Sequence, residues 1–321
     1  MGTQSTQAVR ENKKAVSVRR ASFAAWICLL IVYVVWGSTY LAIRVGVETM
    51  PPLLMAAARS LVAGVIMFPL GLRRRRSAPL ARRWPSGAQW RACATAGVLL
   101  LVGQGVVGVA ERTIPSGLAA LLVATVPLWL LGLDAGLHRA RLGLAQLAGL
   151  LLGLAGVALL SSLAGGAGGR AQVPVVGVLT VVGAAGMWAL GTMTARRGTF
   201  PSSPVLATGM ELLAGGAVLL VLAAATGEFG SLHLSHVSAG SWLALGYLIV
   251  IGSIVAFSAY GIAIRALPTA TVATYAYVNP VIAVLLGALI LGERLTPAMI
   301  GGGVLVVGAV VLVVRRSPSS G

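Results

Sequence analysis

The sequence predicts an all-α membrane protein of ten transmembrane helices, arranged as two inverted five-helix repeats. Three observations predict it. Of 321 residues, 58% are hydrophobic and only 10% charged, whereas soluble domains carry about 25% charged residues to cover a water-facing surface. Apolar runs of about 20 residues recur along the whole chain, each long enough as a helix to cross roughly 30 Å of hydrocarbon. Proline, arginine and tryptophan landmarks of the first half also return at one spacing in the second.

Residues 1–23 read as a basic cytoplasmic tail, disordered over its first 20 residues and carrying Arg10, Lys13, Lys14, Arg19 and Arg20. The opening MGTQST fits a myristoylation pattern by chance, since a ten-span chain needs no lipid anchor. The first span, 24–46, is too long for a signal-peptide core and has no clear cleavage site after it, so it stays in place. The second, 52–72, starts at the Pro51-Pro52 pair, and the third, 88–110, follows the Arg73–Arg76 run. The fourth, 115–136, starts at a proline and holds Pro127 near its middle, and the fifth, 142–162, carries Gly149, Gly153 and Gly156. Spans six to ten follow at 173–196, 202–225, 240–264, 270–291 and 296–314, before a short cytoplasmic tail at 315–321. Many junctions hold Pro or Gly, where helices start and stop. The first repeat is thus 24–162 and the second 173–314.

A net charge of +17 would suit a nucleic-acid binder, but the basic residues sit in short clusters between apolar runs. Such clusters fit loops facing anionic lipid headgroups. With the N-terminus inside, 19 of the 24 Lys and Arg fall on the inner side and four on the outer, with only Arg59 in a span. That bias places both termini in the cytoplasm of a multi-pass plasma-membrane protein. Cys28 and Cys93 fall in or beside apolar spans and read as small core filler.

Trp36, Arg44 and Pro52 recur 152 residues later as Trp188, Arg196 and Pro204, and Arg112, Pro115 and Pro127 recur 153 residues later as Arg265, Pro268 and Pro280. Five spans per repeat is an odd number, so the second copy is inverted in the membrane. Inverted repeats place a substrate site near mid-depth, where the halves meet.

The segment WGSTYLAIRVGVETMPPLLMAAARSLVAG, starting at Trp36, and NPVIAVLLGALILGERLTPAMIGGGVLVVGAVVLV, starting at Asn279, resemble the drug/metabolite transporter superfamily, and within it the EamA family of ten-span permeases. The resemblance covers roughly 24–314 and implies an exporter of amino acids or related amphipathic metabolites. The motif Gly292-Glu293-Arg294-Leu295-Thr296 has only a degraded counterpart, HRARLG at 138–143, so any role tied to it is asymmetric here.

Arg59 lies about 10 Å along its helix from the outer face, a depth at which a charge costs at least ~2.5 kcal/mol and should face the interior with a partner. Adding 152 gives Glu211, the only acid in the seventh span, so the two are expected to line one cavity and pair directly or through substrate. A structural ion pair is the plainer alternative. Pro127 and Pro280 each free the carbonyl four residues earlier, at Val123 and Ala276, and read as helix breaks or gates. Trp36 and Thr39 share a face near mid-depth, as do Trp188 and Thr192, and Tyr275 and Asn279 lie one turn apart with Tyr277 and Thr274 close by. These are cavity-wall and substrate-hook candidates, set against core packing and helix–helix glue; Gln104 and Trp129 are weaker ones. Arg44 and Glu48 are expected to snorkel to the headgroups, and Glu111 and Asp134 to sit at solvated span ends. His233 and His236 lack an evident third ligand, so no metal is expected. Glycines of the fifth and tenth spans allow close helix contact, bracing the bundle or forming a homo-oligomer.

These features point to a secondary transporter exporting small metabolites by alternating access, without cofactor and without a nucleotide-binding loop. Proton coupling through Glu211 and uncoupled exchange both fit. A multidrug or organic-cation efflux permease of the same fold is the alternative. An intramembrane enzyme is remote, since the seven acidic residues are scattered and the histidines fall outside the spans. Tails this short leave no room for a sensor domain.

Overall fold

The computed structural model describes residues 2–73, 84–138, 174–267, 274–292 and 295–315, with scattered positions at 144–156 and at 272. Among them only helices and turns occur, so the chain is all-α. The helices are α1 (Gly2–Gly46), α2 (Pro52–Arg73), α3 (Gly87–Ala110), α4 (Ser116–Val123), α5 (Val126–His138), α6 (Val175–Arg197), α7 (Pro204–Ala225), α8 (Glu228–Ser231), α9 (Ala239–Tyr247), α10 (Ala256–Ala266), α11 (Tyr275–Leu291) and α12 (Pro297–Arg315). A π-helical stretch, Leu248–Val255, joins α9 to α10. Six described helices are long and apolar enough to cross a membrane: Phe23–Gly46, Pro52–Arg73, Gly87–Ala110, Val175–Ala195, Pro204–Ala225 and Ala239–Ile264. Shorter apolar stretches cover Ser116–Leu130, Val278–Leu291 and Met299–Ala309.

Two expectations change. The tail at 1–23 is helical from Gly2 and continuous with the first span, because nothing between Arg10 and Arg20 breaks a helix: the stretch has no Pro or Gly. The fourth span divides into two helices at Pro127, whereas the break expected at Pro280 is absent. Pro127 offers no N–H to Val123, so α4 stops there, and the Thr125 hydroxyl donates back to the Leu122 carbonyl at 2.7 Å. Pro280, by contrast, sits inside an unbroken α11. The fifth span, the 138–143 counterpart motif beyond His138, and Glu293 and Arg294 lie mostly or wholly outside the described residues, though Gly149 and Gly156 are buried.

Local chemistry sets the ends. Ser86 and Gln89 form a reciprocal capping box at α3, with bonds of 3.3 and 3.0 Å. Ser203 caps α7, whose first residue is Pro204. Gly292 closes α11 at φ 64°, a left-handed conformation that glycine adopts without strain.

The bundle has two ends. One carries the α1–α2 turn and α8 and is called here the Glu228 end; the other carries the α6–α7 turn and is the Phe200 end. At the centre α2 crosses α7 with glycines on both sides. A Cβ on Gly64 would lie 2.9 Å from Leu213 Cγ, and one on Gly216 would lie 2.9 Å from Leu61 Cγ. The two contacts exchange on a shift of 152 residues. The first helix of each half also lies across the other half: α1 against α9, α10 and α11, and α6 against α3, α4 and α5. Outward faces remain apolar, with Leu30, Val65, Val176 and Leu289 all exposed, as suits a lipid-facing surface. On α12, Gly303 faces Leu121 and Gly308 faces Leu152 of the fifth span, so these glycines brace the bundle from within the chain.

Candidate functional site

Five rings gather where α1, α6, α10 and α11 converge. Trp36 meets Trp188 edge-on with centroids 5.7 Å apart, and Phe257, Tyr260 and Tyr275 surround Trp36 at 5.3, 4.9 and 5.2 Å. The Trp36 indole N–H has no hydrogen-bond partner. Two cavities flank this cluster; Trp36 borders one of them and Trp188 borders both.

A cavity of about 480 Å³ lies on the Phe200 side of the rings. Trp188, Thr192, Glu211, Phe257 and Tyr260 line it, and it reaches Phe200 and Ser202 in the α6–α7 turn. Glu211 is held in place by backbone packing. Gly97 of α3 faces the Glu211 main chain so closely that any Cβ there would collide with it. The lining holds no Lys or Arg among the described residues, so this wall is acidic and aromatic.

A second cavity, of about 60 Å³, lies on the other side of the rings and is lined by Trp36, Thr39, Tyr40, Gln104, Tyr275 and Asn279, with Trp188 shared. Thr39 and Thr192 each donate back to a tryptophan carbonyl, Trp36 at 2.7 Å and Trp188 at 2.9 Å. One terminus of the Asn279 amide lies 3.1 Å from two acceptors, the Tyr33 and Tyr275 carbonyls, so that terminus is the nitrogen. Asn279 therefore ties α11 to α1 while also lining the cavity. The hydroxyls of Tyr33 and Thr274 add a bond across the same seam.

Arg59 is 2% exposed and is not among the residues lining either cavity. Its hydrogen-bond partner is Ser253 of the π-helical stretch, Nε to Oγ at 3.3 Å, rather than Glu211, and its Nη2 has no partner. The reason is the antiparallel crossing. Gly64 lies against Leu213 and Leu61 against Gly216, so Arg59 lies level with a residue near 218, about 10 Å along α7 from Glu211.

Three further expectations are corrected. Arg44 does not snorkel: Nη1 donates to the carbonyl of Glu111, the C-cap residue of α3. A cation there complements the unsatisfied carbonyls of a helix C-terminus. Glu111 is fully buried, not solvated, because that contact folds the α3 end under α1. Trp129 is 40% exposed and turns away from both cavities. The side chains of Asp134 and Tyr277 lie outside the described residues. His233 and His236 are exposed and stack at 5.6 Å, and no cluster of three or more metal-ligating side chains occurs among the described residues.

The Glu228 end is sealed by a seam the sequence did not reveal. Glu228 accepts the Leu53 and Leu54 N–H groups at 3.3 and 2.9 Å, capping α2 from another segment. Thr49 donates to Ser241 at 2.7 Å, Ser241 donates to the Val45 carbonyl at 3.0 Å, and the Ser238 N–H donates to Thr49 at 3.0 Å. At the Phe200 end, α3 and α7 use caps from their own sequence.

Residues 24–162 and 175–315 each match the family model described as "EamA-like transporter family". The "Uncharacterized inner membrane transporter YedA" of Escherichia coli (strain K12) is 40% identical over 273 residues, 84% of this chain and 83% of that one. A "Probable terminal-alkyne amino-acid exporter" of Streptantibioticus cattleyicolor is 29% identical over 93% of this chain and 95% of its own. A "Probable amino-acid metabolite efflux pump" of Escherichia coli (strain K12) is 28% identical over 86% and 90%. One solved crystal structure shares the fold with a TM-score of 0.60 at 23% identity, over 92% of this chain and 99% of that one.

Proposed function

The chain belongs to the EamA-like transporter family and is a multi-pass membrane transporter, and from that premise we propose that it exports small amphipathic metabolites, amino acids or related compounds, by alternating access. One observation carries the reading. A chamber of about 480 Å³, walled by rings and Glu211, reaches the Phe200 end, while the Glu228 end is closed by caps from neighbouring segments. With the basic loops cytoplasmic, the Phe200 end faces the cytoplasm and the chamber is the loading side. The reciprocal Gly64–Leu213 and Gly216–Leu61 contacts, exchanged by a shift of 152, support two inverted five-span repeats related by an in-plane axis. Rocking one half on the other about this crossing would close the loading side and open the far one. The names of the amino-acid exporters among the relatives support the substrate class.

Organic-cation efflux is the second reading, favoured by the acidic aromatic wall and the lack of Lys or Arg among its described residues. Expression in a sensitive host tests both. Cells making the protein should tolerate higher external amino-acid analogues or organic cations and hold less of the transported compound inside. Glu211→Ala and Arg59→Ala should each abolish that protection while the protein still reaches the membrane. Full protection by both variants would overturn the site assignment.

A further inference from the structure

The segment that joins α2 to α3 carries the largest basic cluster of the chain. Residues 73–91 hold seven arginines, and no acidic residue occurs between Glu48 and Glu111. Arg73 ends α2 and Arg91 lies in the second turn of α3, both exposed. Arg74, Arg75, Arg76, Arg82 and Arg83 are strung in the sequence between Arg73 and Trp84. Like charges this close repel one another and call for a counter-charge.

An aromatic shelf lies beside them. The Phe68 ring, near the end of α2, has its centroid 6.3 Å from that of Trp84 and 5.6 Å from that of Trp90. Trp84 is 67% exposed, and Leu70, two residues on from Phe68, is exposed as well. An exposed tryptophan at a span end sits at headgroup level, where acyl chain gives way to phosphate. A surface apolar on one side and cationic on the other fits one kind of molecule in that layer, an anionic phospholipid.

The shelf also touches the chamber. Phe68, Trp90 and Phe200 pack against one buried cluster that holds Leu206 and Ala207, and Phe200 and Ala207 line the large cavity. Both helices that carry the basic connection close on the same region. A Cβ on Gly71 of α2 would lie 2.5 Å from Leu206 Cα, and one on Gly198 would lie 2.8 Å from Ala92 Cβ of α3. Whatever holds residues 73–91 therefore steadies the chamber mouth.

We propose that residues 73–91 and the Phe68–Trp84–Trp90 shelf bind the headgroup of an anionic phospholipid, and that the bound lipid braces the chamber mouth. The inference takes the Phe200 end as cytoplasmic, as the transport reading does, but neither readout below requires transport. The phosphate pairs with arginine forks, while the acyl chain lies along Leu70 and Trp84. A zwitterionic lipid brings an ammonium that the arginines repel, so phosphatidylglycerol is preferred over phosphatidylcholine.

The test places the full chain in phosphatidylcholine vesicles holding a minor share of phosphatidylglycerol, with bromines high on the chains of one lipid or the other. Bromine quenches indole emission on contact, and the difference between the unaltered protein and Trp84→Phe isolates Trp84. Brominated phosphatidylglycerol should quench that component about fivefold more per mole than brominated phosphatidylcholine, the ratio for one arginine near an anionic surface. High salt should narrow the ratio, and inorganic phosphate should act no more strongly than sodium chloride at equal ionic strength. A variant carrying Arg74→Gln, Arg75→Gln, Arg76→Gln, Arg82→Gln and Arg83→Gln should be quenched equally by both lipids. One carrying Lys13→Gln, Lys14→Gln, Arg19→Gln and Arg20→Gln should keep the preference. Amide exchange over residues 198–207 should slow by the same factor in the presence of phosphatidylglycerol, because opening there then requires the lipid to leave.

Equal quenching by the two lipids in the unaltered protein overturns the site, and so does a five-arginine variant that keeps the preference. Loss of the preference in the tail variant, or displacement by phosphate beyond that by chloride, overturns it too. Preference without slower exchange overturns the bracing. Exchange is read on the unaltered protein alone, so a variant that fails to insert does not blunt the test.

Discussion

Trp36 and Trp188 stand 152 residues apart in sequence and meet edge to face, centroids 5.7 Å apart and ring planes at 90°. They come from the first helix of each half, and they form the partition between the two cavities. A partition built from two equivalent residues can swing either way without changing its chemistry.

Removing one leaf should breach it. In Trp188→Ala the chambers merge, and a cysteine at Thr39, in a background lacking Cys28 and Cys93, becomes open to a membrane-impermeant maleimide from the Phe200 side. The labelling rate should rise by about tenfold or more, alongside a stability loss below the ~3 kcal/mol typical of a fully buried aromatic, since Trp188 is half-buried. An unchanged labelling rate would show that the indole is packing alone.

Gly97 holds the acidic wall in register. A Cβ at this position meets the Glu211 main chain, so Gly97→Ala should cost about 1–3 kcal/mol, seen as a lower unfolding midpoint in detergent. Transport should fall further than stability, because α7 must shift and carry the carboxylate with it. Equal activity at equal expression would separate Glu211 from the transport step.

The seal at the other end has a stated strength. Glu228→Ala deletes a helix cap worth about 1 kcal/mol, enough to favour opening there about fivefold. Maleimide reaching a cysteine at Ile43 from the Glu228 side reports it. A rate equal to that of the parent would mean that the Thr49–Ser241 contacts suffice.

Asn279 joins two helices through the Tyr33 carbonyl. Asn279→Ala should lower stability by about 0.6–2 kcal/mol, the range for hydrogen bonds between membrane helices. A drop in transport beyond that, at matched amounts of folded protein, would assign it to cargo as well as to the seam.

The landmark spacing made the two repeats matched by the family model legible in the sequence, and with them the equivalence of Trp36 and Trp188. The shared cavity expected for Arg59 and Glu211 does not form. Phe257 and Tyr260 escaped because the equivalent residues are Gln104 and Val107, which share no chemistry with a ring. Distance across the crossing was also hidden: equal position in two repeats makes residues alike, not adjacent, and Arg59 and Glu211 lie two turns apart. Arg44 and Glu111 were misread for the reverse reason. Each looks like a solvated span end alone, and only their meeting buries the glutamate. The break before Pro127 and the unbroken passage of Pro280 show one residue type read differently by its surroundings.

The crossing of α1 into the second half has a consequence for biogenesis. This helix leaves the ribosome well ahead of its main neighbours α9, α10 and α11, which are made more than 190 residues later. It must wait beside the insertion machinery, or drift in lipid, until those helices arrive, and late docking of this kind is slow and prone to misassembly. Ribosome-stalled chains ending before Ala239 should therefore leave α1 open to crosslinking by lipid probes, and release of the full-length chain should close it.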